Sequence, residues 1–326
     1  MTVIRLLMLC LATAIVPLLA TSRIAAAQNY PNRPVRIIVP FPPSGGPDTV
    51  ARIFGNKLTE QLGQQVIVDS RPGGSGFVAV EIAKNAPPDG YTLLLATFNI
   101  FAVLPALNPK FPYDPDKDFV ALSRVASAAN VVVVHPSLGV GTVADLVKLA
   151  KARPGQLNYG SGGNGSASHL AGEMFNVLAG VKTVRVPYKG PVLALNDLIA
   201  GQLQFIMTSP VTVMPHAKTG RIKLIATTGA KRDPLLPELP PVADVLPGFE
   251  ITLWWGVAAP AKTRIVIVEK LHAEIVKAMQ SPEVRGLLAK QGATAHAESP
   301  AEFTAFIKAE RERIARVGRQ VSITFD

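Results

Sequence analysis

Two α/β halves, each a doubly wound and mainly parallel sheet, are what the sequence predicts. Apolar strand-like runs alternate with helical stretches along most of the 326 residues. Loops rich in Gly, Ser and Pro separate the strands from the helices that follow, and the alternation starts again after a Pro/Asp-rich transition over residues 105–118. Hydrophobic residues form 48% of the chain and charged residues 17%, a balance that supplies sizeable cores and argues against disorder. The length fits two domains better than one.

The first unit runs from Val35 to Leu62. Val35, Ile37, Ile38 and Val39 read as a buried strand and Pro40 to Gly46 as a loop; the helix that follows can be opened by Pro47 and capped by Gly63. Such a loop aims backbone N–H groups and a positive helix end past the carboxyl edge of the strand, where open α/β sheets bind ligands. Gln65 to Asp69 predicts the next strand, Arg71 to Gly76 a second Gly-rich loop, and Phe77 to Asn85 a helix ended by Pro87-Pro88-Asp89-Gly90. Tyr91 to Thr97 is a third strand, running into Phe98-Asn99. Val125 to His135 predicts one further apolar strand, and Thr142 with Asp145 a capping box for a helix stopped by Pro154-Gly155.

The second half continues with a strand at Leu157 to Gly160, a Gly/Ser loop at Ser161 to Ser166 and a helix over Ala167 to Gly180. A strand at Val184 to Pro187, a helix from Pro191 to Gly201 and strands at Phe205 to Thr208 and Ile222 to Thr227 complete it. The tail reads as mostly helical, with Ile265, Val268, Leu271, Ile275 and Met279 on one face and helix starts at Ser281-Pro282 and at the Ser299/Glu302 box. These helices have no sheet of their own to cover, so they are expected to pack on the first half. The expected partition is residues 28–125 plus 228–326 as one domain and 126–227 as the other, with two strands crossing between them.

Residues 1–27 read as a secretory signal: Arg5 opens it, Leu6 to Ala20 is apolar, and Ala25-Ala26-Ala27 is a small-residue site with cleavage expected after Ala27. The apolar run is shorter than the ~20 residues a spanning helix needs. Cys10, the single cysteine, lies in this segment after Leu9, which is not the small residue a lipoprotein site wants. A mature chain without it has no disulfide, thiol nucleophile or thiolate metal site. Removing Arg5 and Arg23 lowers the formal charge from +10 to +8, a balance that favours anionic small molecules or surfaces and serves solubility equally well. Dispersed basic residues on an exported chain do not fit nucleic acid.

Catalytic chemistry finds little support. No serine sits in a G-x-S-x-G elbow: Ser75 has Gly73 and Phe77 at the flanking positions, and Ser166 has Asn164 and Ser168. His135, His169, His216, His272 and His296 are scattered, without an H-x-x-x-H pair. Gly74-x-Gly76-x-x-Ala79 has the form of a dinucleotide fingerprint. However, Asp69-Ser70-Arg71-Pro72 separates it from its strand, and Leu95-Ala96-Thr97 stands where the ribose-binding acid belongs. A tight turn is the plainer reading, and no cofactor or metal is expected.

Four loops remain, at Pro42 to Asp48, Arg71 to Phe77, Thr97 to Asn99 and Ser161 to His169. Glycine permits close backbone approach, and small hydroxyl and amide groups donate hydrogen bonds without charge. Four such loops across two halves describe a cleft that holds a carboxylate with neutral donors. Each helix N-terminus contributes about 0.3–1 kcal/mol, against about 8 kcal/mol for micromolar binding. Hydrogen bonds and enclosure must therefore supply most of the affinity.

Several stretches, in order, carry a family resemblance: Tyr30 to Pro43 (YPNRPVRIIVPFPP), Leu62-Gly63 with Arg71-Pro72-Gly73, Pro88 to Leu93 (PDGYTL), and Pro112 to Pro115 (PYDP) with Lys117-Asp118-Phe119. Later come Leu157-Asn158-Tyr159, Gly163 to Ser166 (GNGS) with Ser168 to Glu173 (SHLAGE), Val186 to Gly190 (VPYKG), and Trp254 followed by Gly256, Ala259 and Pro260. Along its mature length the chain resembles the periplasmic solute-binding proteins of tripartite tricarboxylate transporters, the Bug-type receptors. The resemblance implies a two-domain periplasmic-binding-protein (Venus-flytrap) fold that closes on a small organic carboxylate, often with bridging water. It also implies delivery to membrane permease subunits or, in some relatives, a sensing role; the chain itself is expected to be a periplasmic monomer. The loops and the resemblance together give the candidate ligand-binding residues: Phe41, Pro43, Ser44, Gly45, Gly46, Asp48, Phe77, Thr97, Phe98, Asn99, Ser161, Gly163, Asn164, Gly165, Ser166, Ser168, His169, Tyr188 and Thr208.

Three departures from the family pattern stand out. The usual P-G-G-x-x-D loop is Pro43-Ser44-Gly45-Gly46-Pro47-Asp48; Phe77 replaces a common Asn; and the usual D-L-M-F-D is Gln204-Phe205-Ile206-Met207-Thr208, without either acid. A carboxylate at the Thr208 position would pair with a ligand ammonium group. Its loss, with Phe77, Phe98 and Phe101 near the expected cleft, points to an aromatic or otherwise apolar carboxylate rather than an amino acid. Core packing is the competing reading for the rings, a first-turn bond to backbone for His169, and helix-start stabilisation for Asp48. The leading expectation is a non-enzymatic receptor. The alternatives are a secreted α/β hydrolase or transferase with a dispersed site, and a ligand sensor for a signalling partner.

Overall fold

The computed structural model describes residues 30–108, 111–217 and 219–321. The expected signal segment, with Cys10, lies outside the described residues. β1 (Val35–Val39) leads into α1 (Gly46–Leu62), β2 (Val66–Ser70), α2 (Phe77–Lys84) and β3 (Thr92–Thr97). A π-helical turn at Asn99–Val103 continues into the short helices α3 (Leu104–Leu107) and α4 (Pro115–Asp118), and then β4 (Phe119–Ala129). Next come β5 (Val131–Val134), α5 (Val143–Ala152), β6 (Asn158–Ser161), α6 (Ala167–Ala179) and β7 (Val184–Pro187). α7 (Pro191–Ile199), β8 (Phe205–Thr208), α8 (Pro210–Ala217) and β9 (Lys223–Thr227) follow. The chain returns through β10 (Thr252–Pro260), α9 (Ile265–Gln280), α10 (Pro282–Lys290), β11 (Thr294–Ala295) and α11 (Pro300–Gly318). Among the described residues, no helix is long and apolar enough to cross a membrane.

Local chemistry explains the helix bounds. Pro lies in the first turn of α1, and Gly63 ends it in the left-handed conformation, φ 64°. Thr142 and Asp145 exchange both bonds of a capping box at α5, as Ser299 and Glu302 do at α11.

The strands form two sheets, of order β11-β4-β10-β3-β1-β2 and β7-β6-β8-β5-β9. Both are mixed rather than mainly parallel. β1 runs parallel to β2 and β3, and β6 to β7 and β8, as strand–helix–strand units require. The antiparallel pairs involve β4, β5, β9, β10 and β11. β4, β5, β9 and β10 flank the passages between sheets, so the chain enters each sheet without the crossover helix that would reverse it. The apolar run expected as one strand from Val125 to His135 is two: β4 ends at Ala129, β5 begins at Val131, and the chain changes sheet at Asn130. The tail, expected to be mostly helical, also contains β10, which lies between β3 and β4.

Alternate residues of each buried strand serve opposite faces. Ile37 and Val39 pack with Phe54, Leu58, Leu271 and Ile275, whereas Ile38 and Leu94 belong to the core containing Phe98, Phe101 and Trp254. Val131 and Val133 likewise face Leu195 and Leu198, and Val132 and Val134 join the core that holds Phe175. Both faces are covered, which is why these strands read as unbroken apolar runs. The C-terminal helices cover the first sheet, α9 and α10 against α1, and α11 against β4.

The two passages between sheets are tied together. Thr228 N–H donates to Asn130 O at 2.8 Å, Ile251 N–H donates to Thr228 O at 2.9 Å, and Thr228 Oγ1 donates to Ile251 O at 2.6 Å.

Gly172 lets α6 approach β6: a Cβ there would lie 2.2 Å from atoms of the buried Tyr159 ring. Gly172→Ala is expected to cost about 1–3 kcal/mol by overpacking, read as a lower urea midpoint at unchanged m.

Candidate ligand-binding site

The carboxyl ends of β1, β3, β6 and β8 converge between the two sheets, and each is followed by a turn or helix start. A cavity of about 60 Å³ lies there. Phe41 and Pro47 line it from the first loop, Thr97, Phe98 and Asn99 from the end of β3, and Gly162, Ser166, Ala167 and Ser168 from the end of β6 and the start of α6. Pro191, Met207, Thr208, Ser209 and Thr212 add the starts of α7 and α8, and Asn130, Leu253, Trp254 and Trp255 come from the crossing segments. No ionisable side chain is among these residues.

The cavity wall is mainly apolar and uncharged, with a few polar groups set into it. The beginnings of α1, α6, α7 and α8 all contribute to its wall, so four positive helix ends face one space. Thr97 Oγ1, Asn99 Oδ1, both amide atoms of Asn130 and Trp254 Nε1 are buried without a hydrogen-bond partner. The Thr97 hydroxyl, the Asn130 amide N–H and Trp254 Nε1–H among them are neutral donors, which beside helix ends stabilise an anion without burying a second charge, whereas the two amide oxygens are acceptors.

The two jaws touch through glycines. Gly46 N–H donates to Thr212 Oγ1 at 3.1 Å. A Cβ at Gly46 would meet Ser209 Oγ at 3.1 Å, and one at Gly165 would meet Leu104 Cδ2 at 2.6 Å. Gly190 approaches Pro42 in the same way, at 2.8 Å from Cδ.

Residues 50–323 match the model of the tripartite tricarboxylate transporter family receptor. The chain belongs to that family. The receptor is 34% identical over 307 residues to BugT of Bordetella pertussis, an alignment covering 93% of this chain and 94% of BugT. It is similar to the R. palustris structure of Rpa4515 with adipate, at TM-score 0.88 and 34% identity over 90% of this chain and 99% of that one. It is also similar to MatC from Rhodopseudomonas palustris with bound malate, at TM-score 0.83 and 29% identity over 88% of this chain and 99% of that one. The two-domain periplasmic-binding-protein fold is thereby shared.

Of the receptor's sequence-derived candidates, Phe41, Thr97, Phe98, Asn99, Ser166, Ser168 and Thr208 line the cavity. Gly163 and Tyr188 line an outer groove with Ser75 and Lys189, which shares Phe41 and Gly162 with the cavity. Pro43 and Gly45 border neither, and Gly46 contributes its N–H to the contact between jaws. Phe77 packs edge-on against Phe111, ring centroids 6.2 Å apart, and Phe101 packs against Phe119 at 5.6 Å. Both rings pack against the core rather than line the cavity, Phe77 on Phe111 and Phe101 on Phe119, while the short helices after β3 lie against α11. Asn130, Met207, Ser209, Thr212, Leu253, Trp254 and Trp255 line the cavity without having been sequence candidates. The Trp254 stretch carried the family resemblance, the one signal that would have pointed there.

Other candidates hold the loops in shape. Asp48, 3% exposed, accepts from Ser44 N–H at 3.0 Å, Ser70 Oγ at 3.0 Å and Arg52 Nε at 2.9 Å. Burial works against its charge, but the bonds from Arg52, Ser44 and Ser70 outweigh it and hold the carboxyl below its usual range. The shifted glycine pair leaves Ser44 itself in the left-handed region, φ 65°, where a glycine would be free of the Cβ penalty. Asn164 Oδ1 accepts from Arg185 Nη1 at 2.8 Å, and Ser161 O accepts from Tyr188 N–H at 2.9 Å. His169 Nδ1 accepts from Gly165 N–H at 3.2 Å, which places the ring proton on Nε2.

His169 is buried, and burial, reinforced by the Arg185 charge, lowers its pKa to about 3. An unfolded histidine titrates near 6.5, so this contribution to stability is complete above pH 6.5 and is lost as pH falls toward 3. The loss is about 1.4 kcal/mol per pH unit, or about 2 kcal/mol by pH 5. His169→Gln is expected to remove one proton's worth of slope from urea unfolding free energies measured between pH 6.5 and 5. A second outcome concerns closure: Gly46→Val is expected to hold the jaws apart, raising the radius of gyration in solution scattering and weakening ligand binding at least tenfold.

Proposed function

We propose that the receptor captures a small organic carboxylate between its domains and prefers an aromatic or otherwise apolar one to an amino acid. It delivers that ligand, unaltered, to permease subunits of a tripartite tricarboxylate-type transporter. In this reading residues 1–27 are an export signal and the receptor works in the periplasm, with Asn130 and Thr228 as the hinge between domains. One observation carries the ligand class: four helix starts and neutral hydroxyl and amide groups line the cavity, together with Phe41, Phe98, Trp254 and Trp255, and no ionisable side chain joins them. Adipate and malate, in the two solved relatives, are themselves carboxylates. An amino-acid ligand would bring an ammonium group to a wall that offers it no carboxylate, with Thr208 at the position of the family's acid. The aromatic wall favours a flat or apolar body in its place.

The chain has two tryptophans, and both line the cavity. Intrinsic fluorescence therefore reports occupancy directly. Titration of the mature protein with benzoate is expected to give a saturable change in the micromolar range, and aspartate or glutamate none. Tight binding of aspartate or glutamate with no response to aromatic acids would refute the preference. Chemical conversion of a bound acid during prolonged incubation, followed by NMR, would refute the receptor reading in favour of an enzyme.

A further inference from the structure

We infer that the preferred ligand carries, besides its carboxylate, a hydroxyl group read by Asn130, so that the receptor selects hydroxylated aromatic carboxylates over unsubstituted ones. This deepens the reading above and rests on it. Asn130 is 1% exposed and stands where the chain passes from β4 to β5, at the floor of the cavity it lines. Its backbone oxygen is already engaged by Thr228 N–H. Its side chain is not: neither Nδ2 nor Oδ1 has a hydrogen-bond partner. Because both atoms are unpartnered, the conclusion holds whichever way the amide is turned.

A buried amide asks for a donor and an acceptor at once. A ligand carboxylate offers acceptors only and would leave the amide oxygen against negative charge. An ammonium group offers donors only, and a ring C–H offers neither. A hydroxyl does both in the space of one atom. Trp254 sits on β10, which pairs with β4 so that Leu253 lies opposite Ala128 and Trp254 opposite Ser127. Its Nε1–H is a second unpartnered donor lining the same cavity, available to a ligand oxygen. Phe98, Met207 and Leu253 give the carbon skeleton an apolar surround. A site that hydrogen-bonds a hydroxyl discriminates strongly against the analogue lacking it, because its own polar groups are then stranded.

The test is calorimetric titration of the mature protein with benzoate and with 2-, 3- and 4-hydroxybenzoate. At least one hydroxylated isomer is expected to bind tenfold or more tightly than benzoate, about 1.4 kcal/mol. In Asn130→Leu that ratio is expected to fall within threefold; Asn130→Ala takes its place should the leucine variant fail to fold. Benzoate matching all three isomers, or a preference that persists in the variant, overturns the role of Asn130 while leaving the aromatic-carboxylate reading intact. Failure of all four acids to bind overturns that reading and this inference together.

Discussion

The tie between Asn130, Thr228 and Ile251 governs the rest of the molecule. Two passages of backbone connect the sheets; one hydrogen bond, from Thr228 N–H to Asn130 O, joins them, and two more between Thr228 and Ile251 tie the ends of the second passage together. That junction is where the proposed hinge between domains would lie. The carboxyl edges of strands from both sheets meet at the cavity, which no single sheet could present to one ligand. The two sides pack closely where Gly46 meets Ser209, Gly165 meets Leu104 and Gly190 meets Pro42. At those contacts a side chain would act as a wedge.

Charge is distributed in keeping with that enclosure. The whole chain carries a formal +10, yet the cavity wall has no ionisable group. A lysine or arginine enclosed by the jaws would lose hydration on closure, and its attraction for an anion would first have to offset that penalty. Hydroxyls, amides and helix ends lose less and can be aimed in advance. Asp48, the acid nearest the first jaw, is neutralised by Arg52 and committed to Ser44 and Ser70. The surface field can steer anions, while neutral dipoles hold them.

Much of this was legible in the sequence where the cause is local. Strand–loop–helix alternation, the Thr142/Asp145 and Ser299/Glu302 boxes and the Gly63 cap depend on residues within a few positions of one another, and all are realised. The jaw loops were legible for the same reason: small residues after a strand announce a helix start. Features that depend on distant partners were not legible. β10 lies between two antiparallel neighbours with both faces covered, so TLWWGVAAP shows no alternation to mark it. The apolar run through Asn130 gives no local sign that it changes sheets. The floor of the cavity, built from Asn130, Trp254 and Trp255, inherits both difficulties. Phe77 and Phe101 illustrate the converse: a ring near a loop in sequence is often the core beneath it.

The position of β10 also bears on when this protein can fold. The first sheet places residues 252–260 between β3 and β4, so no N-terminal fragment can complete it, and α9 and α11 must arrive later still. The second sheet, by contrast, is assembled from one continuous segment, β5 to β9, all of which precedes β10. A nascent chain would thus carry an unfinished, open-edged first domain until almost its last residues were available. If the chain is exported as proposed, that delay is useful: the strand that locks the first sheet is among the last to emerge.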